Sequence, residues 1–326
     1  MKLGVGRPAL VARVLPRWAA TWAAAFAATG CLSFARGPLP GAPKDATYAD
    51  VDGVRVRYQD EGQGPPVVLL HGFASSLETW VTVAPTLKKT HRVLSLDLKG
   101  FGWTDRPEGD YSPQAQAKLV LGLMKARGID KAALVAHSWG SSVALAATLA
   151  EPARVERLAL YDAWVYDDQL PTFFLWARAP GIGEALYALW YDERPDEKMA
   201  GAFFDKSRFM TEQLVEDVER ALERPGTKAA ALAATRGQRF AELEPKYRTI
   251  TKPTLILWGR EDEVTLLSYG ERLSKDLRDA RLLVYPQCGH FPMIEAASAS
   301  TRDLDGFLAE TAIPAPNAPG EKETAP

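Results

Sequence analysis

Six short apolar runs, most of them followed by a stretch of helical composition, leave this chain few folds to choose from. They are "PPVVLLHG" (65–72), "HRVLSLDLKG" (91–100), "KAALVAHS" (131–138), "RVERLALYD" (154–162), "KPTLILWG" (252–259) and "ARLLVYP" (280–286). Apolar runs of this length, bounded by charge, Gly or Pro, read as strands buried on both faces. Residues 112–127, 141–149, 266–277 and 296–308 read as helices, and a further helical stretch ends near Lys88. Strands alternating with helices predict an α/β fold, a mostly parallel sheet flanked by helices. Ahead of the first run, "YADVDGVRVRYQDEG" alternates in polarity about Asp52-Gly53, a hairpin signal. No segment repeats at a fixed period.

The 326 residues suffice for one large domain or two small ones. A net charge of −2 offers no basic surface, so nucleic acid is not an expected partner. Two cysteines, Cys31 and Cys288, exclude a disulfide framework and a cysteine-rich metal site. Between the fourth and fifth runs, residues 163–248 contain nothing strand-like. The stretches "TFFLWARAPGIGEALYALWY" and "EQLVEDVERALERPG" read as helices there. An insertion of this kind over the strand ends is expected to be a helical lid. Some of Phe173, Phe174, Trp176, Tyr187 and Trp190 would then line the cavity beneath it.

Ser138 ends the third run, where "LVAHSWGSSVAL" passes from a buried strand into an Ala- and Leu-rich helix. A serine on such a corner holds its hydroxyl clear of the sheet and near the positive end of a helix. Serine is also a common N-cap, so this stretch alone leaves both readings open. Parallel sheets bind ligands beyond the carboxyl ends of their strands. Standing there are His71-Gly72-Phe73, Ser138, Asp262 and His290. Asp162 also ends a run, and Glu261 and Glu263 flank Asp262, so the acid has competitors.

Serine, acid and histidine in that order resemble the Ser…Asp/Glu…His order of the α/β-hydrolase fold. From about Tyr48 to Leu308 the chain is similar to that superfamily, as a serine hydrolase with a helical lid. The resemblance implies Ser138 as nucleophile, His290 in "CGHFPMIE" as base, and Asp262 in "WGREDEV" as the acid that orients it. The backbone N–H groups of Phe73 and Trp139 would form the oxyanion hole. His71 would hold the oxyanion loop, His137 would stand beside the site, and His91 would be inert. No cofactor and no metal are expected.

The sequence departs from its relatives at informative places. Ala136 stands where the elbow usually has Gly. Haloalkane dehalogenases and epoxide hydrolases often read His-Asp-Trp-Gly where this chain has "HSWG", so a carboxylate nucleophile is missing. Proline iminopeptidases share Ser-Trp-Gly-Ser, but "HGFASS" does not match their Gly-rich oxyanion loop. Acyl chemistry on a small hydrophobic ester or related carbonyl compound is the expectation. Carbon–carbon bond hydrolase, cofactor-free perhydrolase and acyltransferase are the enzymatic alternatives, and a hydrolase-fold binding protein the non-enzymatic one. The complete set of serine, histidine and acid argues against the last.

The N-terminus is of another kind. Lys2, Arg7, Arg13 and Arg17 precede an apolar stretch over residues 18–29, and no acid appears before Asp45. That is the layout of an export signal, too short for a comfortable membrane span. "AATGC" at 27–31 resembles a bacterial lipoprotein signal, with Ala28 in place of the usual Leu, and makes Cys31 a lipidation candidate. The expectation is an exported, membrane-anchored lipoprotein of a bacterial envelope, otherwise a periplasmic or secreted protein. The division of the chain that follows is a signal peptide (1–31), linker (32–46), hydrolase core (47–162 and 249–312), lid (163–248) and disordered tail (313–326). The Pro- and Gly-rich linker reads as a flexible tether.

Overall fold

The computed structural model describes residues 32–310. Residues 1–31, with the expected signal peptide and Cys31, and residues 311–326, with the expected tail, lie outside them. One sheet contains eight strands: β1 (Thr47–Val51), β2 (Val54–Glu61), β3 (Pro66–Leu70), β4 (Arg92–Leu96), β5 (Ala132–His137), β6 (Val155–Tyr161), β7 (Thr254–Gly259) and β8 (Ala280–Tyr285). Their spatial order is β1-β2-β4-β3-β5-β6-β7-β8. Only the β1–β2 and β2–β4 pairs are antiparallel. Asp52 and Gly53 turn the β1–β2 hairpin at φ 50 and 76, the pair of left-handed residues that suits a two-residue turn.

The uniform apolarity of the central strands has a direct cause in their surroundings. Val68, Leu70, Leu134, Ala136, Leu158, Leu160 and Ile256 pack into the core on one face. Their neighbours Val67, Leu69, Ala133, Val135, Ala159, Leu255 and Leu257 pack on the other. Alternate side chains point to opposite faces, and both faces are dry. The first face is covered by α1 (Pro113–Ala126) and α2 (Trp139–Ala150), the second in part by a C-terminal helix (Ala297–Ala309) carrying Leu304 and Phe307. Helix α1 starts where its sequence directs: the Ser112 hydroxyl accepts the Ala115 N–H at 3.2 Å, with Pro113 in the first turn.

Residues 163–248 contain helices and no strand among the described residues. The aromatic stretch expected as one helix is two, α3 (Thr172–Ala177) and α4 (Ile182–Leu189). Pro180 and Gly181 break it. Gly181 sits at φ 79, where a side chain is strained, and its N–H is capped by Glu184 at 2.7 Å. The helix expected to end near Lys88 is only two short turns, Leu77–Trp80 and Ala84–Leu87.

The tether expected over residues 32–46 is instead docked on the core. Ala35 and Arg106 exchange backbone hydrogen bonds of 2.9 and 2.8 Å, and the Gly37 N–H donates to Asp105 at 3.1 Å. Phe34 stacks on Tyr111 at 6.2 Å, and Leu39 is buried. The apolar residues scattered among its prolines and glycines bury their surface, which outweighs the composition argument for a free coil.

Candidate active site

Ser138 lies at the strand-to-helix corner between β5 and α2 with φ 50 and ψ −125, a backbone conformation uncommon outside glycine. Packing enforces it. The Ser138 N–H donates to the Tyr161 carbonyl at 2.8 Å, and its own carbonyl accepts the N–H groups of Ser141 (2.9 Å) and Trp164 (3.1 Å). Two glycines make room: a Cβ on Gly140 would stand 2.4 Å from the His71 carbonyl oxygen, and one on Gly72 only 3.0 Å from the Ser138 Cβ. The Ser138 hydroxyl makes no capping bond to α2, so the N-cap reading fails here. Its backbone conformation at a sharp strand-to-helix turn is the geometry of a nucleophile elbow.

His290 is brought beside that corner by His137, whose ring lies 4.7 Å from its own and whose Nε2–H donates to the His290 carbonyl at 2.8 Å. His290 Nδ1 is 2.8 Å from Asp262 Oδ2, and all three residues Ser138, Asp262 and His290 are buried. Nδ1–H therefore donates to the carboxylate, which leaves Nε2 as the basic nitrogen. Asp262 Oδ1 accepts the Val264 and Thr265 N–H groups at 2.7 and 2.9 Å, and Oδ2 accepts the Thr265 hydroxyl at 2.6 Å. Burial pushes this carboxyl up, but His290 and the Thr265 donors prevail and hold it below its ordinary range. No hydrogen bond joins His290 to the Ser138 hydroxyl in this state, as is common for a nucleophile–base pair before substrate engages.

The loop expected to carry an oxyanion donor is pinned by His71. His71 Nδ1–H donates to the Gly72 carbonyl at 2.7 Å while its Nε2 accepts the Leu98 N–H at 2.9 Å, so the ring is a neutral brace; its burial lowers its pKa further. The N–H groups of Phe73 and Trp139 donate to no protein acceptor among the described residues. They are the two donors the sequence resemblance named, and both flank the elbow. Above them Phe73 packs on Phe101 (5.4 Å), Trp139 (6.1 Å) and Phe174 from the lid (5.4 Å), and Phe174 packs on Trp164 (5.9 Å). Of the lid aromatics expected at the cavity, Phe174 reaches this wall and Phe173 backs it, whereas Trp176 is 61% exposed and Trp190 54% exposed. The His91 ring bonds to the Thr90 hydroxyl, and Cys288 is a buried thiol whose pKa burial raises, which sets both apart from the cluster of Ser138, Asp262 and His290.

Glu295 was not singled out from the sequence. Its carboxylate accepts the N–H groups of Gly289 (2.8 Å), Phe204 (2.9 Å) and Asp205 (3.2 Å), and the His290 N–H donates to Ala202 at 2.7 Å. Through these bonds the loop carrying His290 is clipped to the lid. Glu295→Ala is expected to lower kcat/KM about a hundredfold by letting the imidazole drift, with far-UV circular dichroism unchanged. An unaltered kcat/KM would show that the clip does not position His290.

A buried serine elbow, a histidine oriented by an acid and two free backbone donors define a hydrolytic site on an α/β sheet. The sequence pattern of the alpha/beta hydrolase fold matches residues 65–297, and the chain belongs to this family and is a hydrolase. It is 31% identical over 270 residues to the 2-hydroxy-6-oxo-2,4-heptadienoate hydrolase of Pseudomonas putida, which covers 79% of this chain and 94% of that protein. It is likewise 31% identical over 271 residues to a 2-hydroxymuconate semialdehyde hydrolase of a Pseudomonas species, covering 79% and 92% of the two chains. Among solved structures, a meta-cleavage product hydrolase from Pseudomonas fluorescens superimposes with a TM-score of 0.67 at 30% identity, over 80% of this chain and 97% of that one.

Proposed function

We propose that this protein is a serine hydrolase that cleaves a carbon–carbon bond beside a ketone carbonyl, through Ser138, His290 and Asp262. The observation that carries the reading is the likeness to hydrolases named for 2-hydroxy-6-oxo-dienoates. Such a compound has no ester or amide; the bond open to hydrolysis is the carbon–carbon bond next to its 6-oxo group. In the proposed reaction the ketone oxygen sits between the N–H groups of Phe73 and Trp139. Ser138 Oγ attacks the carbonyl carbon and its proton passes to His290 Nε2. Before that attack the dienol shifts its hydroxyl proton to the carbon beside the 6-oxo group. The tetrahedral adduct can then collapse with cleavage of the carbon–carbon bond and expel a dienolate, which takes the proton from His290. Water activated by the same nitrogen then opens the acyl-enzyme and releases the carboxylic acid.

One observation favours a second reading. No lysine or arginine stacks on or bonds to Phe73, Phe101, Trp139, Trp164, Phe174 or the three polar residues among the described residues. An aromatic wall of that kind suits an uncharged ester as well as a carboxylated dienol. The discriminating assay follows loss of dienol absorbance from 2-hydroxy-6-oxo-2,4-heptadienoate beside release of p-nitrophenol from acyl esters. Higher kcat/KM on the dienoate supports carbon–carbon cleavage; turnover confined to esters replaces it with ester hydrolysis.

Residues 1–31 support a proposal about place: export with cleavage before Cys31 and attachment of acyl chains there. Each buried methylene contributes about 0.8 kcal/mol of membrane affinity, so two or more chains anchor stably. In a bacterial host, Cys31→Ser is expected to release the protein from the membrane fraction and remove the lipid mass. Unchanged fractionation with residues 1–30 still attached would show an uncleaved anchor instead.

A further inference from the structure

Asp162 ends β6 and is fully buried, with one oxygen in a cluster where single polar atoms of Asp162, Asp262 and His290 all lie within 4.8 Å of one another. Its two oxygens fare differently. Oδ1 accepts the Gly259 N–H at 2.9 Å, while Oδ2 has no hydrogen-bond partner among the described residues. Asp162 is also held at φ 43, in the left-handed region, by its N–H bond to the Leu257 carbonyl (3.0 Å). The Gly259 N–H on Oδ1 anchors the carboxyl beside the cluster.

Two carboxyl groups this close cannot both carry a charge when one imidazole is their only cationic neighbour. Asp262 is the better host for it, with four donors on its oxygens from Val264, Thr265 (twice) and His290, against one on Asp162. A buried Oδ2 with no donor is costly as a charged oxygen and acceptable as a hydroxyl, provided the hydroxyl finds an acceptor. Asp262 is the anionic acceptor at hand.

We propose that Asp162 is held as a neutral carboxylic acid whose Oδ2–H is donated to the Asp262 carboxylate, which makes it a positioning residue that moderates the grip of Asp262 on His290. The inference rests on the roles given above to Asp262 and His290. Burial first, and then the charge of Asp262, push the Asp162 carboxyl well above the ordinary range. The other groups facing it do not compensate. Glu295 is a further acid, the Cys288 thiol and Tyr161 phenol are kept neutral by burial, and burial and His290 together keep the His137 ring uncharged. No lysine or arginine ion-pairs with Asp162 among the described residues. A donor on Asp262 weakens its attraction for the imidazolium and makes His290 a stronger acid. That helps the step in which a carbon leaving group must be protonated.

The first test needs no turnover. An infrared difference spectrum between the wild-type protein and Asp162→Asn at neutral pH is expected to contain the carbonyl band of a protonated carboxylic acid, shifted in heavy water. A difference containing only carboxylate bands overturns the proposal, whatever the enzyme's substrate proves to be. The second test reads the acid limb of kcat/KM in Asp162→Ala, on whichever substrate is turned over. Loss of a donor to Asp262 raises the pH of that limb by roughly half a unit. If Asp162 were ionised, its removal would take a negative charge away from His290 and move the limb down by about one unit or more. A downward shift, or a limb that stays in place while the rate falls, overturns the proposal. Should the alanine variant fail to fold, the infrared result on Asp162→Asn decides alone.

Discussion

Ser138→Ala is expected to lower turnover about a million-fold and to leave only the roughly thousandfold catalysis over water that oxyanion donors and binding supply. The size of the loss follows from the site's construction. The Phe73 and Trp139 N–H groups and the aromatic wall survive the change, but the nearby Ser141 and Ser142 hydroxyls are turned to the Ala136 and Trp139 carbonyls and cannot replace the nucleophile. The substitution should not disturb the fold. The hydroxyl caps no helix, and alanine tolerates φ 50 about as well as serine does. A thermal midpoint close to wild type with turnover lost is the expected pair of measurements. Retained turnover would remove Ser138 from the mechanism.

Asp262→Asn is expected to cost about four orders of magnitude in kcat with little change in fold. The hydrogen bonds give the reason. Oδ1 faces two backbone N–H donors, Val264 and Thr265, which fix the amide oxygen of an asparagine on that side. The NH2 group must then face His290 Nδ1, 2.8 Å away, and donate to it. The imidazole is left with its proton on Nε2, where the base is needed. Asp162→Asn is expected to cost far less, because its amide can still accept the Gly259 N–H and can donate toward Asp262 as the acid would. Steady-state kinetics on the two variants check the ranking. The reverse order would move the orienting acid to the end of β6.

The parts of this account legible in the sequence are those with a local physical signature. Each buried parallel strand is an apolar run, so all six parallel or central strands β3 to β8 fall where the runs lie. The pair Asp52-Gly53 marks its hairpin because few other residues accept two consecutive positive φ values. Ser138, Asp262 and His290 could be named because each follows a run, and the structure brings Asp262 and His290 into contact with the elbow residue His137 alongside. What the sequence hid depends on long-range contact. Glu295 bonds to Phe204 and Asp205, ninety-odd residues away, and nothing near it in sequence marks that partnership. Thr265 has a weaker signal: an Asp followed three residues later by Thr is the spacing of a local side-chain turn. The docking of residues 32–46 was masked by their Pro- and Gly-rich composition, since Phe34 and Leu39 are too few to form a pattern. The break at Pro180-Gly181 was visible as two residues and outweighed by the apolar stretch around it.

The claim on which everything else rests is that the Ser138 hydroxyl is the activated nucleophile, and an active-site-directed phosphonylating reagent tests it without knowledge of the substrate. The full-length protein is treated with a fluorophosphonate, digested and mapped by mass spectrometry. The account predicts one adduct, on Ser138, absent from Ser138→Ala and formed much more slowly in Asp262→Asn. An adduct on another residue, or equal labelling of the Ser138→Ala variant, would contradict it.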